Sequence, residues 1–214
     1  MSKWFYKNKK IDRELSNKLG IHPAIIKILA DRGVETEEDI REFLAADLSK
    51  VSDGSELTDM EKGVSIIQDA IAAGKHIRII GDYDVDGVTS TYILYKGLIG
   101  LHAKCDKFIP HRIKDGYGLH ENAIRRARED GVEVILTCDN GIAAAEAVSL
   151  AKEFGMTVVV TDHHEVPFVQ EPDGRRYILP AADAVIDPKR PEDHVFKEIC
   201  GAVVAWKFMG RLYK

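Results

Sequence analysis

Cysteine is scarce in this sequence, and its spacing does not suit a metal site. The three cysteines, Cys105, Cys138 and Cys200, are widely separated and include no CxxC pair. An odd number of such cysteines predicts reduced thiols rather than disulfides or a thiolate zinc site. Reduced thiols are typical of cytoplasmic proteins, so we expect a cytoplasmic location.

Long hydrophobic runs and an excess of positive charge are also missing. No apolar stretch approaches the roughly 20 residues of a membrane span, and residues 1–5 lack the hydrophobic region of a signal peptide. We therefore expect no membrane association. The formal net charge is −5, which argues against indiscriminate nucleic-acid binding but leaves local basic patches open.

The order of the predicted elements indicates an α/β fold. Residues 11–48 have helical periodicity, and the polar stretch 49–56 is a candidate boundary. Beyond it, helices such as 58–73 and 90–99 alternate with apolar strands. The strands are predicted at residues 77–80, 104–109, 132–137, 156–160 and 184–186. This pattern predicts a mostly parallel sheet of about five strands with helices on both faces. A small helical unit (1–56) precedes that domain (57–214), and 165–182 is predicted as a loop.

Three aspartates, Asp82, Asp84 and Asp86, follow the strand predicted at residues 77–80. Carboxylates this close together repel one another unless a cation lies among them, although a solvated acidic turn remains an alternative. The spacing matches the first half of a calcium-binding EF-hand loop. However, the twelfth position is Ile93 where that loop needs glutamate, and a strand precedes the motif instead of a helix.

Two further motifs fall at the corresponding place after other predicted strands. Asp139-Asn140-Gly141 follows residues 132–137, and Asp162-His163-His164 follows residues 156–160. Alone, the first is more often an ordinary turn, whereas adjacent histidines after a buried strand favour a functional role over a surface pair. Ligands of open α/β sheets bind beyond the carboxyl ends of the strands, so three such motifs together favour a site. Oxygen ligands with one imidazole suit Mg²⁺ or Mn²⁺. Two ions about 3.5–4 Å apart would serve displacement at phosphorus.

These motifs resemble the first three motifs of the DHH phosphoesterase superfamily. Within it, residues 81–90, Gly-Asp-Tyr-Asp-Val-Asp-Gly-Val-Thr-Ser, resemble the RecJ family of single-strand-specific 5′→3′ exonucleases. The helical lead-in at 22–44, the segment 109–118 and Asp-Pro-Lys-Arg at 187–190 resemble the same family. The resemblance therefore extends over nearly the whole chain.

The resemblance implies a metal-dependent phosphodiesterase that acts on single-stranded DNA in DNA repair and recombination. It implies Mn²⁺ or Mg²⁺ as cofactor, with two ions, and single-strand-binding protein and a helicase as partners of the intact protein. The metal ligands that it implies are Asp82, Asp84, Asp86, Asp139, Asp162 and His163, with Asp162 either a ligand or a support. The catalytic residues would be Asp84, Asp139, His163 and His164, and His164 would face the scissile phosphate or its attacking water. Arg112 and Lys114 would meet the nucleic-acid backbone.

The sequence also departs from the family pattern. The fourth motif, which brings a further aspartate, and the DHHA1 and OB domains are missing, so we expect an N-terminal fragment that is nearly inactive alone. Asp187 stands where RecJ relatives commonly have asparagine. The alternatives are a DHH enzyme acting on short oligonucleotides, cyclic dinucleotides or pyrophosphate, and a non-catalytic replication scaffold. A haloacid-dehalogenase-type phosphatase would leave the histidine pair unexplained.

Overall fold

The structure is a computed structural model that describes residues 12–47, 51–113 and 118–214. Its contacts divide the chain into two compact units, residues 1–52 and 53–214. The predicted domain limits, 1–56 and 57–214, stay a prediction. Residues 11 and 48–50, which the predicted helical unit included, lie outside the described residues, as do residues 1–10.

Within residues 12–47, the described part of the first unit, lie three short helices, α1 (Arg13–Leu19), α2 (Pro23–Asp31) and α3 (Glu37–Ala45). Asp12 caps α1 and Thr36 caps α3, since each side chain accepts a hydrogen bond from a backbone N–H in the first turn. Ile26, Leu29 and Ile40 form the buried centre of this unit. It therefore has an apolar core of its own.

The second unit alternates helices and strands. Its elements in chain order are α4 (Met60–Ala72), β1 (Ile77–Ile80), α5 (Val85–Gly100), β2 (Cys105–Phe108), α6 (Glu121–Glu129), β3 (Val134–Cys138), α7 (Ala145–Glu153), β4 (Thr157–Thr161), β5 (Phe168–Glu171), β6 (Gly174–Tyr177), β7 (Ala184–Ile186) and α8 (Gly201–Leu212). Five strands form one sheet in the order β2-β1-β3-β4-β7, and all its neighbours are parallel. The predicted α/β fold with a parallel five-stranded sheet is confirmed.

Both faces of the sheet are buried. Along β3, Val134, Leu136 and Cys138 belong to one core cluster, while Ile135 belongs to the other. The first cluster includes residues of α4, α5 and α8, and the second includes residues of α6 and α7. Continuous apolar strands are expected when helices cover both faces of a parallel sheet. Among the described residues, no helix is long and apolar enough to cross a membrane.

Two sequence predictions differ from the structure. The loop predicted at 165–182 contains the antiparallel hairpin β5–β6. All residues of both strands are exposed, so no alternation of buried and polar residues marked them as strands. The helix predicted to start at residue 90 starts at Val85, because Asp84 caps it. Asp84 and Asp86 therefore belong to the beginning of a helix rather than to a free loop.

Candidate metal centre

Four aspartates lie at one edge of the sheet, just beyond the ends of β1, β3, β4 and β7. The parallel register aligns the last residues of these neighbouring strands within about one position. The aspartates that follow them are Asp82, Asp139, Asp162 and Asp187. All four are at most 2% exposed. Segments that are far apart in the sequence therefore bring buried carboxyl groups to a common edge.

The second and third acids of the first motif are held at the start of α5. Asp84 is its N-cap, and Asp84 Oδ1 accepts a hydrogen bond from Gly87 N–H at 3.0 Å. Asp86 lies in the first turn, and its two carboxylate oxygens accept hydrogen bonds from Gly201 N–H and Ala202 N–H, each at 2.7 Å. These donors are the first N–H groups of α8, where the helix dipole favours an anion. Asp86 thus ties α8 to the site.

Asp139, from the second motif, lies close in space to His163 of the third motif. Its Oδ1 is 3.0 Å from His163 Nε2, and the same nitrogen is 3.3 Å from Asp86 Oδ2. Asp139 has a φ of 59°, in the left-handed region. Aspartate and asparagine adopt this conformation more readily than most other residues. The turn after β3 therefore brings the Asp139 carboxylate to the His163 imidazole.

Asp162 organises the histidine pair. Its Oδ2 accepts a hydrogen bond from Ile142 N–H at 2.9 Å, and its Oδ1 accepts one from His163 N–H at 2.7 Å. The same Oδ1 lies 2.7 Å from His164 Nδ1. When Nδ1 carries the proton, this contact fixes the ring orientation and leaves Nε2 at the opposite end of the His164 imidazole.

The crowding of carboxyl groups changes their proton affinity. Burial, with the charges of Asp86 and Asp84, raises the pKa of Asp139 to about 8. The hydrogen bond to Asp162 raises the pKa of His164 to about 9. Burial, with the charge of Asp162, raises the pKa of Asp187 to about 7. The metal-free site therefore holds protons in place of some of its negative charge.

In the part of the chain that the structure describes, two groups of side chains converge closely enough to hold a metal ion. Asp82, Asp84 and Asp139 form one group, and Asp139, His163 and His164 form the other, with the ligand atoms of each group within 4.8 Å of one another. Neither buried carboxylate oxygen of Asp82 has a hydrogen-bond partner among the described residues. A buried carboxylate without hydrogen bonds is costly unless a proton or a cation neutralises it. Carboxylate oxygens with imidazole nitrogen fit Mn²⁺ or Mg²⁺.

Two of the predicted ligands lie outside these groups. The oxygens of Asp86 and Asp162 already accept backbone hydrogen bonds. An ionised carboxylate has about four acceptor positions, so these bonds leave room for a further ligand. The six-residue ligand set stays a prediction.

A sequence profile separately places the chain in a family. The profile of the DHH family, N-terminal domain, matches residues 76–214. The match covers more than half of the chain and includes all three motifs. The chain belongs to the DHH family.

Several curated and solved DHH proteins are similar to this chain. The single-stranded-DNA-specific exonuclease RecJ of Bacillus subtilis strain 168 is 40% identical over 91% of the chain, which spans 24% of that relative. A crystal structure of RecJ from Thermus thermophilus in complex with Mn²⁺ has a TM-score of 0.64 and 28% identity, covering 92% of this chain and 26% of that one. A manganese-bound RecJ structure has a TM-score of 0.61 and 32% identity over 72% of this chain and 37% of that one.

Of the two residues predicted to contact nucleic acid, the structure describes one, Arg112. Exposed Arg112 has its guanidinium carbon 5.2 Å from the centroid of the Tyr83 ring. Because Tyr83 lies between Asp82 and Asp84, Arg112 is close to the first DHH motif. Lys114 lies outside the described residues. Both nucleic-acid assignments stay predictions.

Sequence reasoning gave no site role to Asp187 or Asn140. Asp187 Oδ1 accepts a hydrogen bond from Lys189 N–H at 2.8 Å, and its buried Oδ2 has no partner among the described residues. Asn140 donates from Nδ2 to the carbonyl oxygens of Ile80 and Cys138, at 3.1 and 2.9 Å. The sequence could have indicated a site position for Asp187, since it follows a predicted strand as Asp139 and Asp162 do. The role of Asn140 depends on a contact with a distant strand.

Mn²⁺ binding to this DHH domain should strengthen between about pH 6 and about pH 8, because a cation must displace the proton that Asp139 holds up to a pKa of about 8. In the unfolded chain the pKa of Asp139 is about 3.9. Without metal, the contribution of Asp139 to folding stability is therefore complete below that pH and is lost as the pH rises towards 8. The rise in melting temperature caused by Mn²⁺ should therefore grow with pH across this range. A rise of equal size at every pH would contradict the assignment.

Proposed function

We propose that this chain is the N-terminal catalytic part of a RecJ-type, metal-dependent phosphodiesterase that degrades single-stranded DNA from the 5′ end. The observation that supports this most strongly is the position of Asp139. It belongs to both groups of side chains that could hold a metal ion. A carboxylate shared by two cation positions suits the in-line displacement of phosphodiester hydrolysis.

In this proposal the predicted ligands hold two Mn²⁺ or Mg²⁺ ions. Asp82, Asp84 and Asp139 would form one position, and Asp139 with His163 the other. Asp86 and Asp162 would support them or add oxygen ligands. When bound, such ions supply Lewis acidity that lowers the pKa of water and offsets charge on phosphoryl oxygens. The side chains themselves hold and orient the reacting groups.

His164, Arg112 and a neighbouring cavity would receive the substrate. A cavity of about 280 Å³ borders Asp162 and His164 and is lined also by Leu119 and Ile142. With Nδ1 bonded to Asp162, His164 would offer its Nε2 end to a phosphate oxygen. The hydrogen bond to Asp162 raises the pKa of His164 to about 9 in the absence of a cation, and a protonated imidazole favours contact with an anion. Arg112, with Lys114, would bind phosphates further along the strand.

The comparisons support this choice over the alternatives. The Bacillus subtilis relative is named a single-stranded-DNA-specific exonuclease. This does not favour short oligonucleotides, cyclic dinucleotides, pyrophosphate or a scaffold role. We further propose a cytoplasmic role in DNA repair and recombination. The intact protein would then work with single-strand-binding protein and a helicase, because its substrate is an exposed single strand.

We expect the 214-residue chain to fold but to cleave single-stranded DNA at least about 100-fold more slowly than full-length RecJ of Bacillus subtilis, since small losses of positioning cost about that much. Both proteins are assayed with Mn²⁺ on 5′-labelled and 3′-labelled single strands, with a blunt duplex and an EDTA reaction as controls. Equal rates would show that the parts found only in the relative are dispensable. Faster hydrolysis of pyrophosphate or a cyclic dinucleotide than of DNA would contradict the proposed substrate.

A further inference from the structure

The hairpin β5–β6 begins at Phe168, four residues after the end of the Asp162-His163-His164 motif. Val166 is buried in the core, and the Pro167 carbonyl accepts a hydrogen bond from Ile178 N–H at 2.7 Å, which closes the base of the hairpin. A two-residue turn at 172–173 joins the strands. All eight strand residues are exposed, so the strands depend mainly on each other. An isolated two-stranded hairpin is only marginally stable in water, so a binding partner would stabilise it.

One side of the hairpin is aromatic and basic. Phe168 pairs with Tyr177 across the strands, and their ring centroids are 6.0 Å apart. The Arg175 guanidinium carbon lies 4.3 Å from the centroid of the Phe168 ring. Phe168 is 44% exposed and Tyr177 is 38% exposed. We call Phe168, Arg175 and Tyr177 the aromatic face.

The opposite side has a different character. Arg176 Nε donates a hydrogen bond to Glu171 Oε1 at 2.6 Å, so these two charges largely offset each other. Val169 pairs with Arg176 on this side. Arg175 has no carboxylate partner of this kind among the described residues, and its charge remains available on the aromatic face. The alternation of strand side chains thus separates a paired arginine from an unpaired one.

We propose that the aromatic face binds the single-stranded DNA strand next to the metal centre, by stacking bases on Tyr177 and on the Phe168–Arg175 pair. The inference rests on the proposed function. It adds a binding region for nucleotides beyond the scissile phosphate. Base stacking on aromatic rings and on arginine planes is the usual basis of sequence-independent single-strand binding. The arginine charge is complementary to the phosphates.

The position of the hairpin favours DNA over a protein partner. Phe168 lies four residues after His164, so the chain limits their Cα separation to roughly 14 Å. A few stacked nucleotides span that distance at roughly 3.4 Å each. The aromatic face therefore begins within a few nucleotides of a strand held at the metal centre. A second copy of the chain bound to the aromatic face would have no such connection to the metal centre.

The test measures binding without cleavage. A fluorescein-labelled oligothymidylate of roughly 15 nucleotides is titrated with the chain in EDTA and followed by anisotropy. We expect the double variant Phe168→Ala, Tyr177→Ala to bind roughly tenfold more weakly or worse, and Phe168→Trp to bind at least as well as the parent. Arg175→Gln should weaken binding and lower the salt dependence by about one ion.

Arg176→Gln is the matched control, because it removes the same charge from the opposite side, and it should bind within about twofold of the parent. Circular dichroism checks that each variant is folded. The proposal is overturned if the parent does not bind, if the double variant binds like the parent, or if both arginine variants lose affinity equally. A double variant that changes only self-association overturns it in favour of a second copy. If the double variant loses binding but the chain hydrolyses pyrophosphate or a cyclic dinucleotide faster than DNA, the proposed substrate is refuted while the aromatic face stands as a single-strand binding site.

Discussion

Replacing Asp139 by asparagine is expected to lower Mn²⁺ affinity by more than about 100-fold, because loss of a supporting group alone costs about 10–100-fold. Asparagine keeps the shape of the side chain and tolerates the left-handed φ of 59°. The substitution therefore removes the shared charge without straining the turn. Any cleavage of single-stranded DNA should disappear with it. Calorimetric titration and the nuclease assay measure the two effects.

Asp59→Asn provides the matched control for this substitution. Asp59 also has a positive φ, of 62°, and lies in the same unit. Its carboxylate accepts hydrogen bonds from Arg190 and Val185, and it belongs to neither of the converging groups. This variant should lose some stability but keep its Mn²⁺ affinity. Equal affinity of the Asp139→Asn variant and the parent would show that Asp139 does not hold the metal.

Gly87→Ala is expected to destabilise the fold by at least about 2 kcal/mol, since overpacking without room to relax costs about that much. A Cβ at Gly87 would lie 2.4 Å from the carbonyl oxygen of Asp82 and 2.6 Å from its Cα. These are backbone atoms, which cannot rotate away as a flexible side chain would. The clash should displace Asp82 and the start of α5 together. Urea unfolding and Mn²⁺ titration should both show the loss.

Gly210→Ala is the control for that substitution. Gly210 lies within α8, and a Cβ there would meet nothing within 4 Å. Alanine in a helix interior is favoured over glycine by roughly 0.5–1 kcal/mol, so this variant should be slightly more stable than the parent. A Gly87→Ala variant with unchanged stability and Mn²⁺ affinity would contradict the tight packing between α5 and Asp82.

The sheet and the meeting of the three motifs were predictable, because they depend on local pattern. Apolar strands such as Ile77–Ile80 alternate with helices, and parallel strands end at one edge. Asp82, Asp139 and Asp162 each follow such a strand directly or nearly so. Their proximity therefore follows from the fold class and needs no knowledge of side-chain contacts.

What could not be predicted depends on contacts between distant residues or on weak local signals. Asp86 accepts hydrogen bonds from Gly201 and Ala202, which are more than a hundred residues away in the sequence. The hairpin β5–β6 buries neither face, so it lacks the alternation that identifies a strand. The early start of α5 depends on Asp84 acting as its N-cap. Because Asp84 lies in an acidic cluster, the sequence suggested a metal ligand there and not a helix cap.

The measurement that tests the central claim most directly is a calorimetric titration of the unmodified chain with Mn²⁺ at about pH 8, where Asp139 gives up its proton most easily. The proposed site predicts saturable uptake of about two ions per chain. It also predicts that the Asp139→Asn variant loses this uptake while Asp59→Asn keeps it. No uptake by the unmodified chain at millimolar Mn²⁺ would contradict the metal centre, and with it the proposed phosphodiesterase.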